Sequence, residues 1–141
     1  MKNKSEILQY LQTHSLSVLS TVGNNSKPES AVMAFIAQSD FTFLMFTEKQ
    51  SRKWQNFTVN SQASMVVGGL NDDPSVQLDG KIQVLDKERG ETAKKQALSL
   101  HPEWSEYFSS PTGAWFAFTP TWLRYLDFSK SPPETVEIEN L

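Results

Sequence analysis

The sequence predicts a mainly β domain, an antiparallel barrel of six or seven strands with three or four short helices between them. Two patterns favour this fold class. Short apolar or alternating segments are separated by turn residues, so most strands follow one another in hairpin order. No regular strand–helix–strand alternation runs along the chain, which disfavours a doubly wound parallel sheet. With 141 residues, the chain suits a single domain.

The first predicted element is a helix over residues 4–13. Asn3 can cap its amino terminus, and Glu6 occupies the third helical position of a capping box. Three apolar residues share one face at helical spacing, namely Ile7, Leu8 and Leu11. This face is expected to pack on the core.

Strand segments are predicted over residues 16–22, 29–37, 40–46, 62–69, 75–85, 113–119 and 122–128. A dense turn signal at 23–28 joins the first two as a hairpin. Pro120 separates the last two. Together these segments form the expected antiparallel barrel.

Further helices are predicted over residues 47–59 and 87–100, and Pro102 opens another short one. Thr47 is the expected cap of the first, with Gln50 three residues on. Trp54 and Phe57 are expected to face the core.

The domain is expected to span residues 1–128, followed by an acidic, proline-containing tail over 129–141. The tail contains two adjacent prolines and three glutamates but few apolar residues. Such a segment is expected to be mobile unless it docks on the domain.

Composition excludes several functional classes. The chain has no cysteine, so disulfides, thiolate metal sites and thiol nucleophiles are absent. The net charge of −3 argues against a nucleic-acid partner. No apolar run suits a membrane span or a signal peptide, so a cytoplasmic location without membrane contact is expected. The many aromatic residues fill the core or line a cavity or an interface.

Residues 46–53 carry the clearest chemical signal. A strand is expected to end there, a helix begins, and Arg52 and Lys53 lie within its first turns. The free amides of a helix start attract anions, and arginine can bind a phosphate through two parallel hydrogen bonds. Thr47 and Ser51 add hydroxyl donors. The alternative is a solvated helix face on which Glu48 pairs with Arg52 four residues on.

This segment resembles the phosphate-binding segment of the pyridoxamine-phosphate-oxidase-like family of flavin-binding split barrels. That pattern is an aromatic residue, a threonine, a short spacer and Ser-Arg-Lys, matched here by Phe46, Thr47, Ser51, Arg52 and Lys53. Two flanking blocks are also similar, residues 19–28 with the strand after them and residues 76–81. The resemblance implies a six- to seven-stranded split β-barrel of Greek-key type, and it covers about residues 8–128.

The resemblance implies FMN at the interface of a homodimer, with Arg52 and Lys53 at its phosphate. The backbone of the strand that contains Val32 and Met33 would run along the isoalloxazine ring. Further positions are implied by the family's arrangement. Ser75 or Gln77 would reach the polar edge of the ring, and Trp122 and Arg124 would contact the flavin from the partner subunit.

The chain departs from the true oxidases of the family. Those enzymes carry an arginine at the position that resembles Ala31 and a basic residue at the one that resembles Ile36. They also continue into a segment with arginine and histidine that holds pyridoxal phosphate, where this chain has its acidic tail. We therefore expect that it is not a vitamin B6 oxidase and that it is more similar to the short, general-stress-type members.

Three functions remain open at this stage. The first is an FMN-dependent oxidoreductase that acts on a small, flat substrate and is reduced by a nicotinamide donor. The second is a module that carries FMN without turnover, and the third is a split barrel that binds haem or a deazaflavin. No acid–base catalyst or metal site stands out, because His14 and His101 lie where a helix cap and a helix stop are expected. A flavoenzyme does not require such a residue, since the cofactor carries the redox chemistry.

Overall fold

The computed structural model describes all residues from 1 to 141 and has the predicted fold class: one curled antiparallel sheet with helices around it. The helices are α1 (Lys4–Gln12), α2 (Arg52–Val59), α3 (Lys87–Leu100) and α4 (Ser105–Phe108), the last preceded by a 3₁₀ turn at Pro102–Trp104. The strands are β1 (Leu16–Val22), β2 (Pro28–Ala34), β3 (Ile36–Ala37), β4 (Phe43–Glu48), β5 (Gln62–Gly68), β6 (Ser75–Val84), β7 (Gly113–Asp127) and β8 (Glu134–Glu139). None of the helices is long and apolar enough to cross a membrane.

The strand order is β2-β1-β5-β6-β7-β4-β3, and β8 pairs with β7 beside β4. The long strand β7 pairs with three other strands. It pairs with β6 along one edge, and with β4 and then β8 along the other. The sheet curls around a large core of 19 buried residues, to which α1 and α2 also contribute. A second cluster of eight buried residues lies under α3 and α4.

The helix starts follow local capping signals. The side chain of Asn3 accepts a hydrogen bond from the amide of Glu6 at 2.9 Å, and the side chain of Glu6 accepts one from the amide of Asn3, so the predicted capping box is confirmed. Asp86 caps α3 with a single hydrogen bond, which its side chain accepts from the amide of Arg89 at 2.8 Å.

Two strand predictions need correction. The strand predicted over 29–37 is broken at Phe35, whose amide donates to the carbonyl of Ser15, so the chain leaves β1 and then pairs with β4. The strand predicted over 40–46 begins only at Phe43, because residues 38–42 form a turn in which Phe41 has a φ of 69°.

Thr47 is not the cap of α2, contrary to the prediction. Thr47 and Glu48 continue β4, because they pair with Ala114 and Gly113 of β7. The cap is Ser51, in extended backbone with φ −71° and ψ 155°. The prediction failed because a pairing with β7, distant in sequence, satisfies the backbone where a local template indicated a helix start.

Pro120 does not separate two strands, so this prediction is also wrong. It lies inside β7, at a bulge where Gly80 pairs with Pro120 and Asp79 with Trp122, which leaves Thr121 as the extra residue. On the other edge of β7, β4 ends its pairing at Phe118 and β8 begins at Trp122. On that edge no neighbouring strand pairs with Pro120, so the proline interrupts no ladder there.

The segment over 129–141 docks on the domain. Residues 134–139 form β8, antiparallel to the second half of β7. Val136 and Ile138 pack against the larger core cluster. Alternate residues of β8 are half-buried, so even a few apolar side chains with strand spacing hold the segment in place.

Candidate functional site

A cleft opens between the β1–β2 hairpin and the start of α2. Its volume is about 240 Å³, and hydroxyl, carboxylate and cationic side chains surround it. The lining residues are Thr21, Glu29, Ser30, Ala31, Ser51, Arg52 and Lys53. The cleft thus brings together three of the predicted phosphate residues, Ser51, Arg52 and Lys53.

Ser51 sets the position of the cations. Its Oγ accepts the amide of Trp54 at 3.3 Å and lies 3.3 Å from Thr47 Oγ1 at the end of β4. This contact joins the helix start to the strand end. The amides of Arg52 and Lys53 fall in the first turn of α2, where an α-helix leaves N–H groups without intrahelical acceptors. Backbone donors and side-chain cations therefore converge on the cleft.

Lys53 is half-buried and has no carboxylate partner. Its Nζ donates to Thr47 Oγ1 at 3.3 Å, and none of the ion pairs in the structure includes it. Burial lowers the pKa of Lys53, and the neighbouring charge of Arg52 lowers that pKa further. An anion in the cleft would offset both effects.

Arg52 is already paired, though not with the partner that helical spacing indicates. Its Nη1 lies 2.7 Å from Oε2 of Glu29 on β2. Glu48 instead accepts a hydrogen bond from Thr112. Because Glu48 belongs to β4 and not to α2, the four-residue spacing does not place it beside Arg52.

Asn56 and Glu29 are site residues that the sequence interpretation missed. Asn56 Nδ2 donates to Oε1 of Glu29 at 3.0 Å and to Thr21 Oγ1 at 3.1 Å, which ties α2 to both strands of the hairpin. A Cβ on Gly23 would come within 2.7 Å of Asn56 Oδ1, so a larger residue there would push the Asn56 side chain out of its present position. No local motif indicates these contacts, since they join elements distant in sequence.

The outer face of the sheet holds a second group of predicted residues. Pairing registers place Val32, Val18, Val66, Gln77 and Arg124 in one row across β2, β1, β5, β6 and β7. In-register neighbours project from the same side of a sheet. Val32 and Arg124 are four strand spacings apart, roughly 19 Å along the sheet.

Trp122 and Arg124 form a unit on this face. The guanidinium of Arg124 lies over the Trp122 ring, 5.3 Å from its centroid, and pairs with Glu137 of β8. Trp122 and Gln77 line a depression of about 340 Å³ that also includes Val18 and Val66. Ser75, another predicted residue, lies half-buried at the start of β6, opposite Leu126.

Two predicted residues have their side chains in the core. Met33 is 4% exposed and belongs to the large cluster. Phe46 lies in the second cluster, edge-on to Phe108, and its carbonyl accepts the hydroxyl of Tyr107 at 2.8 Å. Thr47 is buried beside the cleft and reaches it through Ser51 and Lys53.

Comparison with known families gives a match over most of the chain. Residues 4–127 match the model of the family described as pyridoxamine 5'-phosphate oxidase. The chain belongs to this family. The match spans the cleft, the outer sheet face and all of β7. No curated protein matches the chain.

Several solved structures of differently named proteins have a fold similar to that of this chain. General stress protein 26 from Bacillus anthracis is 23% identical, with a TM-score of 0.71, over 95% of this chain and 98% of that one. An FMN-binding, pyridoxamine 5'-phosphate oxidase-related protein from Nostoc punctiforme is 14% identical, with a TM-score of 0.70, over 94% and 84%. A heme binding protein from Mycobacterium smegmatis is 11% identical with a TM-score of 0.79; 99% of this chain aligns, spanning 60% of that protein. These similarities show a common fold.

The residues of the cleft fit a phosphomonoester. The half-buried, unpaired ammonium of Lys53 supplies a positive charge, and Ser51 and the helix-start amides supply donors. The adjoining outer face fits a flat, mostly apolar group, because Val32 is 68% exposed beside Val18. FMN combines these two chemical characters in one molecule.

Proposed function

We propose that this chain binds FMN as a homodimer and works as an FMN-dependent oxidoreductase. It acts on a small, flat substrate, and a nicotinamide donor reduces the protein. The observation that carries the proposal is the convergence of Arg52, Lys53 and Ser51 on one cleft, with Lys53 unpaired. FMN, when bound, supplies the hydride and electron transfer. The chain itself supplies binding and orientation.

In this proposal Lys53 and Arg52 hold the phosphate, and Ser51 and the first amides of α2 complete its hydrogen bonds. The backbone around Val32 lies along the ring. Trp122 and Arg124 act on the flavin of the partner subunit, since roughly 19 Å of sheet separates Arg124 from Val32 within one chain.

The exposed apolar side chains of the outer face support a dimer. Leu16, Val18 and Val32 are 57%, 38% and 68% exposed and lie on neighbouring strands. A patch of this kind marks an interaction surface, and a two-fold partner that presents the same face would cover it.

We also propose that the substrate is not pyridoxamine phosphate. Ala31 and Ile36 stand at positions that resemble basic positions of the true oxidases, and neither supplies a cation for the phosphate of a substrate. Turnover of pyridoxamine phosphate by the purified protein would contradict this statement.

Two alternatives share the fold. A protein that binds FMN but is not reduced at a useful rate by NADH or NADPH is a carrier.

Haem is the other alternative, because His14 and His101 line a common depression with Phe35, Ile36 and Leu100. The Nδ1 of His101 faces Glu103, and its ring stacks on Trp104 at 3.9 Å. A deazaflavin would occupy the same cleft as FMN and is separated from it by its absorption spectrum.

The test is a visible absorption spectrum of the purified protein, followed by titration with FMN and with riboflavin, which lacks the phosphate. Flavin bands are expected, with FMN bound more tightly than riboflavin. The double variant Arg52→Ala with Lys53→Ala is expected to weaken FMN binding at least about a hundredfold, because each cation contributes a charge-assisted hydrogen bond. Riboflavin binding should change little.

Lys94→Ala with Lys95→Ala is the matched control, because it removes two charges from α3, which lies outside the cleft. Equal losses in the two double variants would show that only net charge matters. A haem spectrum, or a colourless protein that ignores FMN, would contradict the proposed cofactor.

A further inference from the structure

The carboxylate of Glu29 lines the cleft and is already paired with one of its two cations, Arg52. Glu29 follows Pro28 at the start of β2, opposite Thr21, and its side chain points toward α2. The side chain of Glu29 is only 16% exposed, whereas the side chain of Arg52 is 67% exposed. The two oxygens of Glu29 contact Arg52 Nη1 at 2.7 Å and Asn56 Nδ2 at 3.0 Å.

These contacts fix the carboxylate in place. A carboxylate that is largely withdrawn from water requires partners, and Arg52 and Asn56 supply one for each oxygen. Asn56 is itself held by Thr21. If Arg52 turned away from Glu29, this largely buried carboxylate would lose its only charged partner, which is unfavourable.

A phosphate that enters the cleft meets this fixed negative charge. It must share Arg52 with Glu29 or displace Glu29 from it, and the two anions repel each other at short range. Lys53, which has no carboxylate partner, contributes its full charge to the phosphate. The two cations of the cleft are therefore not equivalent.

We propose that Glu29 is an internal competitor of the ligand phosphate for Arg52, so that the phosphorylated flavin is an exchangeable ligand and not a permanently held group. This inference rests on the proposed function and deepens it, because it assigns a residue that sets how tightly the phosphate is held. Glutamine at this position keeps the carbonyl oxygen that Asn56 binds and removes the competing charge.

The experiment compares the wild type, Glu29→Gln and the control Glu91→Gln, which removes one negative charge from an exposed, unpaired position on α3. Equilibrium titrations with FMN, riboflavin and inorganic phosphate give the affinities, and thermal unfolding verifies that each variant is folded. We expect Glu29→Gln to bind FMN and phosphate about tenfold more tightly and to release FMN more slowly. Riboflavin binding should not change, and Glu91→Gln should match the wild type.

The outcomes separate this inference from the proposed function. If the wild type binds FMN but Glu29→Gln binds it equally or more weakly, or if Glu91→Gln gives the same gain, the inference is wrong and the function stands. If neither protein binds FMN but Glu29→Gln binds phosphate about tenfold more tightly, the flavin function is wrong and the competition stands for another phosphorylated ligand. If neither protein binds FMN or phosphate, both proposals are wrong.

Discussion

Lys53 is the residue whose protonation most directly controls the cleft. Its ammonium is half-buried, next to the guanidinium of Arg52, and Thr47 Oγ1 is its one side-chain acceptor. Burial and then the charge of Arg52 lower the pKa of Lys53 below its ordinary value of 10.5. The positive charge available to a phosphate is therefore lost at a lower pH than for an exposed lysine.

The affinity for FMN should reflect this pKa. The contribution of Lys53 is present below its lowered pKa and is lost as pH rises through it. We expect wild-type affinity to fall at alkaline pH, with the fall beginning at a lower pH than for an exposed lysine, and Lys53→Arg to remove that fall because arginine stays charged. Titrations from neutral to alkaline pH measure this, with riboflavin as the ligand without phosphate. Parallel FMN curves for the two proteins would contradict the prediction.

Among the elements, β8 shows how a segment of low hydrophobicity is held. Glu134, its first residue, receives hydrogen bonds from the backbone amide of Lys2 at 2.9 Å and from Lys130 Nζ at 2.9 Å. The amino terminus lies 3.4 Å from the same carboxylate. One side chain thus attaches β8 to the amino-terminal residues and to the segment that precedes the strand.

The attachment should be sensitive to acid. The hydrogen bond from Lys130, aided by Lys2 and the amino terminus, lowers the pKa of Glu134 from 4.5 to about 2. The stabilisation is therefore complete above a pH of about 4.5 and is lost as pH falls toward about 2. Glu134→Gln should be less stable than the wild type at neutral pH, and the difference should disappear as pH falls through this window.

Chemical denaturation at several pH values measures the difference. Glu139→Gln is the matched control, since Glu139 is exposed at the other end of β8 and has no ion pair. A gap between Glu134→Gln and the wild type that stays constant with pH would show that Glu134 acts by packing and not by charge.

The elements also show which parts of the structure local sequence encodes. Asn3 with Glu6 predicted the start of α1, and the turn residues after Val22 predicted the first hairpin, because caps and turns depend on chain neighbours. The errors at Thr47 and Pro120 share one cause. In both places, pairing with a distant strand overrides a local signal.

The candidate site divides in the same way. Arg52 and Lys53 were predictable because one short segment places them beside a helix start. Glu29 and Asn56 were not, because their contact depends on how α2 packs against β2. A lone glutamate at a strand start carries no signal of its own.

At the scale of the whole molecule, one face of the sheet is left open. Val18 and Val32 are exposed and adjacent there, while the opposite face encloses the core. The proposed dimer uses this open face, so oligomerisation and flavin binding depend on the same surface.

Val32→Asp should therefore disrupt both. A charge at the centre of an apolar interface is costly, and we expect dimer affinity to fall more than about tenfold, with weaker FMN binding in parallel. Light scattering should show a shift from twice the 16.0 kDa chain mass toward the monomer. Val84→Asp is the control, since Val84 is 41% exposed and, by strand alternation, projects from the other side of the sheet. A wild-type monomer in solution would contradict the dimer itself.

The unbroken course of β7 past Pro120 has a consequence for how the molecule opens. Its backbone joins the ladders of β4, β6 and β8, so neither end of the sheet can separate without disturbing the same strand. The amides of β7 that face β6 should exchange with deuterium only through global unfolding, at one common rate on either side of the bulge. The half of β7 that pairs with β4 and the half that pairs with β8 then unfold as one cooperative unit, although the sequence predicted two separate strands there.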